Sequence, residues 1–204
     1  ALFRALRAIC DAHGILLVVD EVQTGFGRTG KLFALEHMGV QADLITMAKS
    51  LAGGFPLSAL TGRAELMDAA PPGGLGGTYA GHPLAVAAAL AVIDVMEEEQ
   101  LPARAQLLGE RLMQALRSLQ ATVPELAEVR GLGAMVAAEF KDPASGAPLA
   151  GRAKRIQELA LERGLLLLTC GVNANAIRFL FPLTIEPEVF EEGLAILAEV
   201  IVAA

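Results

Sequence analysis

The sequence predicts an α/β fold, a mostly parallel sheet with flanking helices followed by a smaller α+β portion. Three observations carry the prediction. Helical and strand periodicities alternate through the first half of the chain, the rhythm of a sheet with helices on its faces. An aliphatic run at 15–19 (ILLVV) has the composition of a strand buried on both sides. Hydrophobic residues make up 54% of the 204 residues and charged residues only 19%, which supplies a sizeable core and excludes a disordered chain.

The elements follow in order. Residues 1–12 (ALFRALRAICDA) read as an amphipathic helix stopped by Gly14. The strand at 15–19 comes next, with Asp20 at its carboxyl end. A glycine-rich turn containing Gly25, Gly27 and Gly30 leads to a short helical piece at 32–38. A second strand at 43–48 ends at Lys49, and a third runs over 57–61 after the GGFP turn. A loop at 71–77 (PPGGLGG) precedes a long apolar segment, 83–98, expected to be a buried helix. Composition changes near Glu99, where a domain boundary is expected, dividing the chain into 1–99 and 100–204. Beyond it Leu101, Ala105, Leu108, Leu112, Leu116 and Leu119 recur at helical spacing. Strands are expected at 132–140, 165–169 and 177–181, with helices at 151–163 and 187–203. Pro187 suits a first helical turn, and Glu188 and Glu191 complement its dipole.

Charge and composition exclude several partners. The net charge of −7 and isoelectric point near 5.0 argue against nucleic acid or an anionic membrane. The apolar run at 83–93 is well short of the ~20 residues needed to span a bilayer. Cys10 and Cys170 share no C-x-x-C spacing and read as reduced thiols of a cytoplasmic protein. No metal is expected, because His13, His37 and His82 have no ligand-like spacing. The chain opens inside a helix without an initiator Met, so an amino-terminal portion is expected upstream.

Two constellations bear on chemistry. Residues 25–30 spell G-x-G-x-x-G after a strand, but Asp20–Thr24 intervene and no full helix follows. A dinucleotide fingerprint needs both features, so that reading is rejected. The second constellation is Asp20 with Lys49, each just past the carboxyl end of a strand, the edge where open α/β sheets bind ligands. A desolvated lysine there attacks carbonyls, and a carboxylate beside it neutralises a cation such as a protonated pyridine nitrogen. Pyridoxal phosphate needs that pair. Spacing alone favours instead a buried ion pair or two solvated loop residues.

The surrounding words add a resemblance. VDEVQTGFGRTG at 19–30, MAKSLAGGFPL at 47–57 and GGTYAG at 76–81 resemble the class III aminotransferases of pyridoxal phosphate fold type I. VRGLGAM at 129–135 extends the likeness, which covers essentially the whole chain. The resemblance implies that 1–99 is the carboxyl-terminal part of a large cofactor-binding domain and 100–204 a small carboxyl-terminal domain. It implies that Lys49 holds pyridoxal 5′-phosphate covalently and shuttles the proton, and that Asp20 pairs with the pyridine nitrogen. Val22 would pack on the ring and Gln23 reach its phenolic oxygen. Gly77 and Thr78 would bind the cofactor phosphate of a neighbouring subunit, making the enzyme a homodimer or higher homo-oligomer.

Within the family, GLLLLTCG at 164–171 and NAIRFLFPLT at 175–184 resemble the 4-aminobutyrate aminotransferases. Arg178 matches the arginine that holds the carboxylate of glutamate and 2-oxoglutarate, and a planar guanidinium on a strand suits bidentate carboxylate binding. Arg130 is assigned a structural role. The implied reaction is 4-aminobutyrate plus 2-oxoglutarate to succinate semialdehyde plus glutamate. The alternatives are an ornithine, acylornithine or β-alanine type of the same class, or a catalytically incomplete fragment. The chain departs from the family at His82, where many relatives carry asparagine, and at 172–174. No counterpart of the family's amino-terminal half is present.

Overall fold

The computed structural model describes residues 1–204 as two compact units, Ala1–Ala103 and Arg104–Ala204. In the first, helix α1 (Leu2–His13) ends where Gly14 takes the left-handed conformation at φ 63°. Strands β1 (Val18–Asp20), β2 (Leu44–Met47) and β3 (Ala59–Gly62) form a sheet in the order β1-β2-β3. The β1–β2 pair is parallel, with Asp20 opposite Thr46, and β2–β3 is antiparallel. A short helix α2 (Ala64–Met67) follows, and helix α3 (Pro83–Glu98) packs on the single turn at Lys49–Ala52. Leu17, Phe26, Leu35, Leu51, Ala85, Ala89 and Met96 are buried here.

A buried carboxylate ties this unit together. Asp43, 3% exposed, accepts the Leu17 backbone N–H at 2.7 Å and the guanidinium groups of Arg7 at 2.7 Å and Arg63 at 3.0 Å. The Leu17 N–H and then Arg7 hold its carboxyl down at about 2.

Two expectations are corrected in this unit. The run at 15–19 is not a strand buried on both faces. Pairing covers only Val18–Asp20, and Ile15, Leu16 and Val18 are each about half exposed. The physical reason is that β1 has a single ladder partner, β2, while residues 15–17 are held by the α1 cap and by Asp43. Nor is α3 buried all round. It buries the narrow stripe Ala85, Ala89 and Met96, and exposes Leu84, Val86, Leu90, Ile93 and Val95.

The second unit is built on helix α4 (Leu101–Gln120), whose first turn precedes it in the chain. Strands β4 (Leu126–Leu132), β5 (Met135–Phe140), β6 (Leu168–Cys170) and β7 (Ala176–Phe179) form an antiparallel sheet in the order β4-β5-β7-β6. Helices α5 (Ala150–Glu162) and α6 (Pro187–Ala203) supply the remaining packing. Leu112 and Leu116 of α4 join Val136, Phe140, Ile156, Ile177, Val200 and Ile201 in one core. Each such fully buried aliphatic or aromatic side chain contributes about 1.5–3 kcal/mol relative to exposure.

The single strand expected at 132–140 is a hairpin. Its first arm ends at Leu132, Gly133 turns at φ 52°, and β5 begins at Met135. The reason is that β4 is an edge strand, buried only at Leu126 and in part at Val129, so its side chains lack a strong apolar pattern. Gly109 of α4 permits a close approach to that turn. A Cβ there would lie 1.7 Å from the Gly133 carbonyl oxygen. The strand at 165–169 is likewise shifted to Leu168–Cys170. No helix is long and apolar enough to cross a membrane.

Candidate active site

Parallel pairing brings the carboxyl ends of β1 and β2 side by side, ~4.8 Å apart as in any sheet. Asp20 is the last residue of β1. Its Oδ1 accepts the Val22 backbone N–H at 2.9 Å and the Thr46 hydroxyl at 3.3 Å. The first of these bonds is an Asx turn that swings the chain off the strand. Both fall on Oδ1.

Lys49 follows β2 by two residues and opens the turn Lys49–Ala52. Its φ is +49°, in the left-handed region that costs a residue with a Cβ roughly 1–2 kcal/mol. Ala48 before it is fully extended, at φ −164° and ψ −151°. The Leu51 N–H to Ala48 carbonyl bond at 3.1 Å closes the turn around the lysine. Glycine meets this backbone requirement without strain, so a lysine in its place marks a side chain kept for its amine. Lys49 is exposed.

Between these arms runs the segment 21–25. Glu21 is 1% exposed and anchors it. Its Oε1 accepts the Leu35 N–H at 2.8 Å, and its Oε2 accepts the Ala34 N–H at 3.1 Å and the Thr24 hydroxyl. Val22 and Gln23, the two residues expected at the cofactor ring, are half-buried beside it. Sequence reasoning missed Glu21. Its one signal in the sequence is its place directly after the aspartate that ends β1.

The G-x-G-x-x-G segment does not open a long helix. Only the single turn Ala34–His37 follows it. Phe26 of that segment is buried at φ 57° and stacks edge-on against Phe33 at 5.8 Å. Burial lowers the Arg28 guanidinium below its usual range. The rejection of a dinucleotide loop therefore rests on structure as well as sequence.

The remaining expected residues lie on other elements. Gly77 and Thr78 lie on an exposed turn closed by the Ala80 N–H to Gly77 carbonyl bond. Arg178 lies in the second unit, in β7, between Ala137 of β5 and Leu168 of β6. Ile177 and Phe179 on either side of it enter the core, so Arg178 occupies the opposite face. Arg130 of β4 is also opposite Ala137, and the two arginines flank that alanine. Arg130 pairs with Glu128 at 3.0 Å and Glu139 at 2.6 Å. Lys141, then Arg130, hold the Glu139 carboxyl down at about 2.

The donor set fits pyridoxal phosphate: an amine for its aldehyde, and a carboxylate on the adjacent strand for its pyridine nitrogen. Comparison with known proteins points the same way. The chain is 57% identical, over 95% of its length, to the 5-aminovalerate aminotransferase DavT of Pseudomonas aeruginosa. It is 52% identical, over 98% of its length, to the 4-aminobutyrate aminotransferase GabT of Escherichia coli K12. It covers 46% and 47% of those proteins, and so spans about half the length of the curated relatives it matches. Among solved structures it resembles the ornithine aminotransferase from Toxoplasma gondii, in which PLP partly occupies the active site. That match has a TM-score of 0.88 and 33% identity, and covers 98% of this chain and 46% of that one. A Bacillus anthracis aminotransferase matches with a TM-score of 0.90 at 29% identity, over 99% of this chain and 48% of that one. The model of the aminotransferase class-III family fits residues 1–201, and with the sheet edge, its lysine and its aspartate in place, the chain belongs to the class III aminotransferases.

Proposed function

We propose that this chain carries the lysine–aspartate half of an ω-amino acid aminotransferase site, working on 4-aminobutyrate and 2-oxoglutarate. The observation that carries the reading is Lys49 held at φ +49° two residues past the end of β2, the strand that pairs in parallel with the one ending at Asp20. Class III aminotransferases work with pyridoxal phosphate. When bound, the cofactor supplies an electron sink for the negative charge left when a substrate C–H bond breaks.

The chain's own residues divide the remaining tasks. The Lys49 amine anchors the cofactor and, once released by the incoming donor, moves the proton to and from the donor carbon. Asp20 presents a carboxylate that keeps the pyridine nitrogen protonated. Val22 packs on the ring face and Gln23 addresses the phenolic oxygen. Arg178 takes the carboxylate of glutamate or 2-oxoglutarate in a bidentate grip. Gly77 and Thr78 serve the phosphate of a neighbouring subunit, which makes the active enzyme a homo-oligomer. In this reading 1–99 belongs to the large cofactor-binding domain, 100–204 is the small domain, and the enzyme works in the cytoplasm.

A second reading is favoured by a specific finding: relatives at 54% and 57% identity are 5-aminovalerate aminotransferases. The two donors differ by one methylene, worth only ~1–3 kcal/mol of discrimination in an apolar pocket. Comparing kcat/KM for 4-aminobutyrate, 5-aminovalerate, ornithine and β-alanine in the full-length enzyme decides between them. The first reading holds if 4-aminobutyrate leads, the second if 5-aminovalerate does, and both fail if ornithine or β-alanine leads. Lys49→Ala is expected to abolish both turnover and borohydride fixation of pyridoxal phosphate to the chain, and retained turnover overturns the lysine's role.

A further inference from the structure

Glu21 is almost wholly buried next to the sheet edge, and both of its carboxylate oxygens are engaged. Its carboxylate accepts the Leu35 N–H at 2.8 Å, the Ala34 N–H at 3.1 Å and the Thr24 hydroxyl. Its backbone is engaged as well. The Glu21 N–H donates to the Thr46 carbonyl at 3.0 Å, and the Gly25 N–H donates to the Glu21 carbonyl at 3.0 Å. Thr46 is the residue whose hydroxyl reaches Asp20, three positions before Lys49. One residue thus links the end of β1, the end of β2 and the turn Ala34–His37.

The local packing leaves this arrangement no slack. A Cβ on Gly25 would lie 2.9 Å from the Glu21 carbonyl oxygen and 3.3 Å from the Phe33 ring. The segment 22–25 is therefore clamped between its anchor and an aromatic side chain. Glu21 accepts at both oxygens and is almost wholly buried, so truncating it strands two backbone N–H donors.

We propose that Glu21 is the positioning residue of the cofactor-ring site, fixing through Thr24, Ala34, Leu35 and Thr46 the path on which Asp20, Val22 and Gln23 meet the ring. This rests on the pyridoxal phosphate reading of Asp20 and Lys49 given above. Glu21 itself touches no cofactor atom in this role. It sets where Asp20 stands.

The test compares the wild-type protein with Glu21→Ala, Glu21→Gln and Asp43→Asn, the last loosening the same unit through a separate clamp. Pyridoxal phosphate is titrated in and fixed with borohydride, and the labelled Lys49 peptide is quantified by mass spectrometry. Amide exchange across residues 20–35 is measured on the same samples without cofactor. Glu21→Ala is expected to speed exchange at Ala34 and Leu35 and to raise the half-saturating pyridoxal phosphate about tenfold or more. Glu21→Gln, which keeps the volume and one acceptor oxygen, falls between it and wild type. Asp43→Asn leaves half-saturation within about twofold, as expected of a change outside the site. The proposal is overturned if Glu21→Ala frees the amides but labels Lys49 at the wild-type concentration, or if Asp43→Asn weakens labelling equally. It is overturned differently if wild type is never labelled, because then the pyridoxal phosphate reading itself has failed.

Discussion

Lys49 shows what residue type reveals and what it conceals. Its chemistry is legible, since few side chains attack a carbonyl and one stands beside an aspartate at a strand end. Its torsion is not, because no residue type other than glycine announces a positive φ. The strain supplies a prediction. At +49°, Lys49→Ala keeps the Cβ penalty and Lys49→Gly relieves it, so the glycine variant is expected to be the more stable by roughly 1 kcal/mol. Urea denaturation of the two variants measures the difference, and equal midpoints would place the strain elsewhere. Glu21 is the converse case. A glutamate in a polar loop reads as solvated, and only its place one residue beyond Asp20 reveals that it faces inward.

Among the elements, helices with a clear stripe were readable and the edges of sheets were not. Helix α6 appears where Pro187 and its glutamates put it, whereas β4 was hidden because an edge strand buries too little to show a pattern. The contact between α4 and the β4–β5 turn is legible only in three dimensions, since nothing in the sequence pairs Gly109 with Gly133. Gly109→Ala forces the helix off the hairpin, and we expect a net loss of roughly 1–2 kcal/mol after the helix-propensity gain of about 1 kcal/mol. A thermal melt of the second unit reports it. The Asp43 clamp on Arg7, Leu17 and Arg63 gives a pH signature. Its carboxyl titrates at about 2 when folded, below the usual 3.8, so its stabilisation is complete above about pH 4 and lost as pH falls toward 2. Asp43→Asn is expected to flatten the stability profile of the first unit across that window, and chemical denaturation at stepped pH would show it.

For the whole molecule, the alternation of helices and strands points to an α/β fold but carries no measure of how deeply each element is buried. Periodicity tells which face of a helix is apolar, not whether anything covers it. Leu84 is 64% exposed and Leu90 60%, on a helix whose sequence is apolar nearly all round. Contiguous apolar surface of this kind promotes association. The isolated chain is expected to bind the dye ANS and to sediment faster as concentration rises. Replacing Leu84 and Leu90 with glutamate should reduce both effects, and unchanged dye binding would exclude α3 as their source.

The order of strands in the second unit bears on how it folds. β4 and β5 are neighbours in sequence and join through a tight turn, so their pairing closes a short loop at small entropic cost. β5 must then wait for β7, which arrives only after α5 and β6 have been laid down. The central strand of the sheet is thus shared between an early, local partner and a late, distant one. Folding speed should follow the hairpin, while β7, which carries Arg178, docks on β5 through the later, long-range pairing. The arginine expected to grip the carboxylate then takes up its position only once that distant pairing has formed.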